Sequence, residues 1–442
     1  MPRLASLTSQ VLAGVGITRG ITRGGVELLY TLDNPNPYGT SASDGFGSSV
    51  SIDNFYLVVG AEDEDGPINS RTGKAYVFDA TSGNLIHTLE NPNAYGTSAS
   101  DSFSKGTRGV SVSNGFALIG AEWEEDANAN TYSGVAYVCD VFSGNTMITI
   151  DNPNGYDTAS GDGFGSAVAI SGDFAVIGAR NEDEANGSRS GKAYVFSTSN
   201  GWANATLEHT LDNPNAYDTA ASDYFGAAVA ISESSTLVAV SATGEDDADG
   251  SSSGKVYIFD LITGSLEHTL DNPNPYGTSA SDGFGNDIAM HGTTLVVGAR
   301  SEDDVNGTGS GKVYIFAAAS GTLLHTLDNP NANTASASDG FGWSVGVCDN
   351  YVVASAPYED DASGSSSGKV YIFNATTGSL LYTLDNPNPD GLTQDYLGDQ
   401  FGYDVDITKD EVEGGYFVVV SAAYEDDAGG TNSGKVYVYK IT

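Results

Sequence analysis

Apolar residues in this chain fall in short unbroken blocks and do not alternate with polar ones. Lys255-Val256-Tyr257-Ile258-Phe259 and Leu295-Val296-Val297-Gly298-Ala299 are apolar at consecutive positions, which a β-strand tolerates only when both faces of its sheet are covered. A half-exposed sandwich would alternate. No stretch carries the 3.6-residue period of a helix. Between 284 and 327 the blocks at 284–289, 294–299, 312–316 and 322–327 predict four short strands, with an acidic loop between the second and third.

This unit recurs. Asp-Asn-Pro-Asn begins at Asp33, Asp151, Asp212, Asp271, Asp328 and Asp385, and Glu90 opens a seventh copy, with successive gaps of 57, 61, 61, 59, 57 and 57 residues. Each copy is followed by a Phe-Gly step or its variant, an apolar run ending in Gly-Ala or Ser-Ala, an acidic loop and a strand like Ser-Gly-Lys-Val-Tyr-Ile-Phe. A period of this size marks solenoids or propellers, and radially stacked blades cover both faces of every sheet. The first strand-like segment, 27–32, matches the fourth strand of the unit, and the last, 435–441, matches the third. Pairing them completes the last blade and closes a ring. The expected fold is all-β: a seven-bladed β-propeller over residues 27–442, with four antiparallel strands per blade and residues 1–26 outside it.

Phe46-Gly47, Phe164-Gly165, Phe225-Gly226, Phe284-Gly285, Phe341-Gly342 and Phe401-Gly402 form one half of a paired motif, with Phe103-Ser104 as a degenerate copy. Gly60-Ala61, Gly120-Ala121, Gly178-Ala179 and Gly298-Ala299 form the other half, and Ser241, Ser355 and Ser421 replace its glycine elsewhere. In these residues the chain resembles the FG-GAP repeat family, the propellers best known from integrin α-subunits. Only Ala356-Pro357 keeps the family's proline. The resemblance implies the fold and leaves the ligand open. It also implies a calcium loop, DxDxDG, between the two half-motifs. Here that stretch is a short hairpin such as Ile170-Ser171-Gly172-Asp173-Phe174, so the family's calcium site is not carried over.

Charge narrows the function. Against 17 Lys and Arg stand 58 Asp and Glu, a formal charge of −41, which repels nucleic acid and anionic lipid. No apolar run approaches the roughly 18 residues that span a bilayer, so membrane insertion is not expected. Cys139 and Cys348 have no CxxC partner, and neither a disulfide framework nor a thiolate metal site is indicated. The acids cluster in two loop sets. One follows strand two, as in Glu124-Glu125-Asp126 and Glu182-Asp183-Glu184; the other follows strand four and ends at Asp44, Asp162, Asp223, Asp282, Asp339 or Asp399 before the Phe-Gly step. Both sets emerge on the same side of an up-and-down blade, which makes one face densely acidic. Calcium takes six to eight oxygens, and Glu64, Asp65, Asp183, Glu184, Asp246, Asp247, Asp303, Asp304, Asp360, Asp361, Asp426 and Asp427 are its candidate ligands, although their spacing is not that of an EF-hand. The competing reading is a solvated anionic face, neutralised in part by Lys192, Lys255, Lys312, Lys369 and Lys435.

Asp-Asn-Pro-Asn suits a structural turn, in which the side chains cap backbone amides and proline stops strand four. Tyr38, Tyr95, Tyr156, Tyr217 and Tyr276 each follow it by five residues and are candidate stacking platforms for sugar rings, or packing residues with a wet hydroxyl. Enzyme chemistry is not supported. His87, His209, His268 and His325 occupy equivalent strand-four positions on separate blades, and no carboxylate pair is singled out by an apolar pocket. Trp123, Trp202 and Trp343 fall outside the repeat, as gap fillers or marks of local specialisation.

Residues 1–26 differ in sign, with Arg3, Arg19 and Arg23 and no acid among them. With Leu7, Val11 and Leu12 they read as an arm that docks on other structural proteins of an assembly. The opening Pro2-Arg3-Leu4-Ala5-Ser6-Leu7-Thr8-Ser9-Gln10 is similar to the starts of some marine tailed-phage structural proteins. The expectation is a non-enzymatic structural or adhesion protein on a virion surface, anchored by residues 1–26 and presenting the acidic face to a receptor or glycan. The alternative is a secreted calcium-dependent lectin-like adhesin of a marine bacterium, extracellular or on the cell surface.

Overall fold

The computed structural model describes residues 25–36, 43–65, 71–92, 101–106, 108–125, 131–154, 160–184, 187–214, 221–246, 250–274, 280–303, 308–331, 338–360, 366–388, 398–426 and 432–442. The arm residues Arg3, Leu7, Val11, Leu12, Arg19 and Arg23 lie outside them. Seven four-stranded antiparallel sheets are arranged as the blades of a closed propeller. Blade five consists of Phe284–His291, Thr294–Ala299, Lys312–Ala317 and Thr322–Asp328, within two residues of the predicted bounds. The N-terminal strand Val26–Asp33 pairs with Lys435–Ile441 to complete blade seven, as the sequence indicates.

Strand one lines the central channel and strand four lies on the rim, half exposed. The core is not a single centre. It is divided into seven clusters, each built from two consecutive blades, including one that joins blade seven to blade one. This is why strands such as Lys255–Asp260 are buried at five successive positions.

The repeated glycines set the spacing between blades. Gly191 has φ 81°, and a Cβ there would stand 2.0 Å from the carbonyl oxygen of Phe225 in the next blade. Phe225, so positioned, packs edge-on against Tyr257, 5.8 Å between ring centres, and Phe259. Phe103 of the degenerate copy keeps the same contact with Tyr137 at 5.9 Å.

Outer strands are tied as well. His87, His209, His268 and His325 each reach the turn between strands three and four of the next blade, at Phe142, Ile262, Ala319 and Thr376 carbonyls 2.9 to 3.2 Å away. These histidines are therefore repeat residues. At the closure Tyr30 takes their place, its hydroxyl donating to the carbonyl of Ala80 in blade one.

Gly191→Ala combines a left-handed backbone with a backbone collision, and is expected to lower unfolding stability by about 3 kcal/mol. A denaturation midpoint equal to that of the parent chain contradicts this account of blade spacing.

Candidate functional site

The acidic loops are where the structure departs most from a simple charged face. The glutamate three residues past the end of strand two points inward in every blade. Glu64, Glu124, Glu182, Glu245, Glu302, Glu359 and Glu425 are fully or almost fully buried, and each accepts a hydrogen bond from the tyrosine hydroxyl at the centre of strand three. In blade five the Tyr314 hydroxyl lies 2.6 and 2.8 Å from the two Glu302 oxygens, and the other pairs repeat it. Glu64, expected as a candidate ligand, is thus held by Tyr76 at 2.6 Å and by Lys74 at 2.9 Å. The following aspartate ties down its own loop. Asp65, Asp183, Asp246, Asp303, Asp360 and Asp426 each accept the backbone N–H six residues further on, at 2.7 to 3.0 Å.

Glu184 is paired with Lys192 at 2.6 Å. Lys369 and Lys435 stand 2.9 and 3.0 Å from Glu359 and Glu425, while Lys255 and Lys312 pair with Asp271 and Asp328. Among the described residues no three His, Cys, Asp or Glu side chains share a point where one ion could be held. Asp247, Asp304, Asp361 and Asp427 lie outside the described residues, as do Tyr38, Tyr95, Tyr156, Tyr217 and Tyr276.

The second loop set is closed by the Asp-Asn-Pro-Asn residues. Asn152 and Asn154 donate to Asp162 at 2.9 and 2.6 Å, and the Asn152 amide oxygen caps the Asn154 N–H at 3.0 Å. The same clamp recurs at Asn329, Asn331 and Asp339. The structural reading of this motif holds.

Along the axis, strand-one side chains satisfy the free N–H groups of the neighbouring inner strand. Asp404 accepts from Val50 at 2.7 Å, Ser49 from Val110 at 3.1 Å and Asp287 from Val345 at 2.7 Å. Arg108, absent from every other blade, crosses the channel to bond Asp287 and the Val345 carbonyl at 3.1 Å. A cavity of about 220 Å³ lies beside it, lined from all seven blades. Burial pushes Asp406 up to about 6 and raises Asp404 well above the usual carboxylate range.

The loop face is asymmetric around the channel mouth. After Phe-Gly, blades one, three, four and five carry Ser48, Ser166, Ala227 and Asn286, but blades six and seven carry Trp343 and Tyr403. Two residues after the end of strand two come Tyr358 and Tyr424, where blades one, three, four and five have Asp63, Asn181, Gly244 and Ser301. The four rings form a continuous half-buried arc: Trp343 is 5.2 Å from Tyr358 and 5.9 Å from Tyr403, which is 5.6 Å from Tyr424. Arg300 lies over Trp343 at 4.2 Å. Trp202 is a gap filler, fully buried. Trp343 marks specialisation.

Six segments, 37–78, 155–196, 215–259, 275–316, 331–373 and 390–439, match the FG-GAP repeat model. The chain belongs to the FG-GAP repeat family. The blade left unmatched is blade two, in which Phe103-Ser104 and the Arg108 segment interrupt the FG-GAP pattern. No curated protein matches the chain as a relative. Membership in the FG-GAP family points to a protein that binds or adheres and not to an enzyme.

Two outcomes are expected. Burial raises Glu182 and Glu302 to about 8, and Glu245 and Glu425 to about 7, from an ordinary 4.5. A carboxyl whose folded pKa is raised contributes stability that is full below about pH 4.5 and is lost as pH rises through 7 to 8. Tm at fixed ionic strength should therefore be higher at pH 5 than at pH 8.5, with a smaller difference in Glu302→Gln; a Tm that rises over that interval contradicts the reading. Arg108→Met should cost about 3 kcal/mol by leaving Asp287 buried without its counter-charge, and Arg108→Met combined with Asp287→Asn should recover part of it. Equal losses in the single and double variants would show that the ion pair is not the cause.

Proposed function

We propose that the chain is a non-enzymatic adhesion protein of a virion, anchored through residues 1–26 and displaying the loop face of its propeller to a receptor or glycan. The observation that carries the reading is the aromatic arc. Trp343, Tyr358, Tyr403 and Tyr424 replace small or polar repeat residues on one side of the channel mouth, and such rings supply contact area at low entropic cost. Most described loop acids serve the fold, which supports binding through this arc and not through a uniform charge. The basic, acid-free residues 1–26 support attachment to an acidic or neutral partner surface.

The test is retention on purified particles. The full chain should sediment with particles and a chain lacking residues 1–26 should not, while Trp343→Ala with Tyr403→Ala should keep particle retention and lose binding to host cells. Chelation of calcium should change neither. Particle-independent binding that disappears on chelation would instead identify a calcium-dependent secreted adhesin.

A further inference from the structure

In a chain this rich in acid, a cation without a carboxylate partner is the exception. Every described lysine has a carboxylate oxygen no farther than 3.1 Å. Arg71, Arg108 and Arg180 are also paired. Arg189 and Arg300 are not, among the described residues, and Arg300 is covered by Trp343. Arg189 is exposed, and its guanidinium has no partner among the described residues.

Arg189 and Arg180 line one cleft of about 400 Å³ between blades three and four, together with Asn181, Tyr224 and Thr243. Gly161, also in the lining, has open space where a Cβ would stand. The carboxylate that pairs with Arg180, Glu122 at 3.3 Å, is shared with Lys105 at 3.0 Å. Glu122 thus answers two cations, and Arg189 adds a third positive charge to the cleft. The other described acids nearby are engaged: Asp183 with the Arg189 N–H at 2.8 Å, Asp162 with Asn152 and Asn154, Asp223 with Asn213, and Glu182 with Tyr194.

We propose that this cleft binds a singly charged acidic sugar, its carboxylate on Arg189 with Arg180 beside it and its ring against Tyr224. The guanidinium fork matches a carboxylate with two parallel hydrogen bonds. The volume lies in the range of small-molecule pockets and exceeds what a bare anion needs. The Asn181 amide and Thr243 hydroxyl are available to sugar hydroxyls. The formal charge of −41 selects against polyanions at long range, whereas a single carboxylate in contact with a guanidinium responds mainly to that near charge.

The proposal deepens the adhesive reading by naming a ligand class, and rests on it only for the biological role. Calorimetric titration of the full chain tests it, with N-acetylneuraminic acid and the monosaccharide galacturonic acid, their carboxyl-reduced neutral counterparts and a monosulfated sugar. At least one carboxylated sugar should bind, and its reduced counterpart should bind at least about tenfold more weakly, the loss expected for one charge-assisted hydrogen bond. Arg189→Gln, at an exposed site whose guanidinium has no partner among the described residues, should cost a similar factor, and Val412→Ala, at an exposed position of blade seven, should leave this binding unchanged. The proposal is overturned if reduced sugars bind equally well, if the sulfated sugar is preferred, if Arg189→Gln binds like the parent, or if no sugar binds. Retention on particles is a separate readout, so failure here leaves the adhesive reading standing.

Discussion

At the base of strand three, successive blades bring their backbones so close that no side chain fits at the contact. In all seven blades a Cβ on the glycine that precedes strand three would stand 2.0 to 2.3 Å from the phenylalanine carbonyl that opens the next blade. That contact fixes the phenylalanine, whose ring packs on the strand-three tyrosine. The tyrosine hydroxyl in turn holds the buried glutamate of the acidic loop. Phe-Gly, Glu-Asp and Ser-Gly-Lys-x-Tyr, scattered over some thirty residues of each repeat, are therefore parts of one joint. A close backbone contact is short-ranged and intolerant, so the joint recurs with little variation while the rest of the repeat drifts.

The architecture was readable because it rests on local signals repeated seven times. Apolar blocks gave strands, the period gave blades, and the match of 27–32 to a fourth strand gave the closure, which Val26–Asp33 makes. The inward turn of the glutamates was hidden because the chain alone does not say which loop acid faces a strand twelve residues away. A signal existed: a tyrosine at the centre of an otherwise apolar buried strand needs a partner for its hydroxyl, and the glutamate twelve residues earlier, as in Glu302 and Tyr314, is the repeated polar candidate. Arg108 was hidden for a different reason. Its partner Asp287 is 179 residues away across the channel, a distance no periodicity reports. The hint was the broken motif around Phe103-Ser104, just where the family pattern also fails.

The aromatic arc and the cleft at Arg189 share an origin. The arc and Arg180 use positions just after the Phe-Gly step or just past strand two, and Arg189 lies at the other end of the same loop, where the repeat needs only a residue that fits the loop face. Ser, Ala, Asn, Asp and Gly fill these positions in some blades, and Trp, Tyr and Arg in others. The joint between blades lies outside them, so substitution here leaves the fold intact. Seven equivalent loops can thereby present unequal chemistry, with the arc on blades six and seven, the ring of Trp123 on blade two and the arginines Arg180 and Arg189 on blade three.

The buried glutamates also change what the net charge means. The value of −41 counts every carboxyl as ionised, yet Glu182 and Glu302, raised to about 8, are largely protonated at neutral pH, and Glu245 and Glu425, at about 7, are near half. A further share of the acid is neutralised by the strand-three lysines at the loop bases. The field over the loop face is therefore weaker than composition implies, and beside blade three Lys105 and Arg180 share the buried carboxylate of Glu122 while Arg189 stands exposed. In such a field a small number of cations decides the local sign, because a ligand within a few ångströms responds to near charges far more than to screened distant ones. An acidic propeller can in this way offer an anion a foothold without giving up the charge that keeps it soluble.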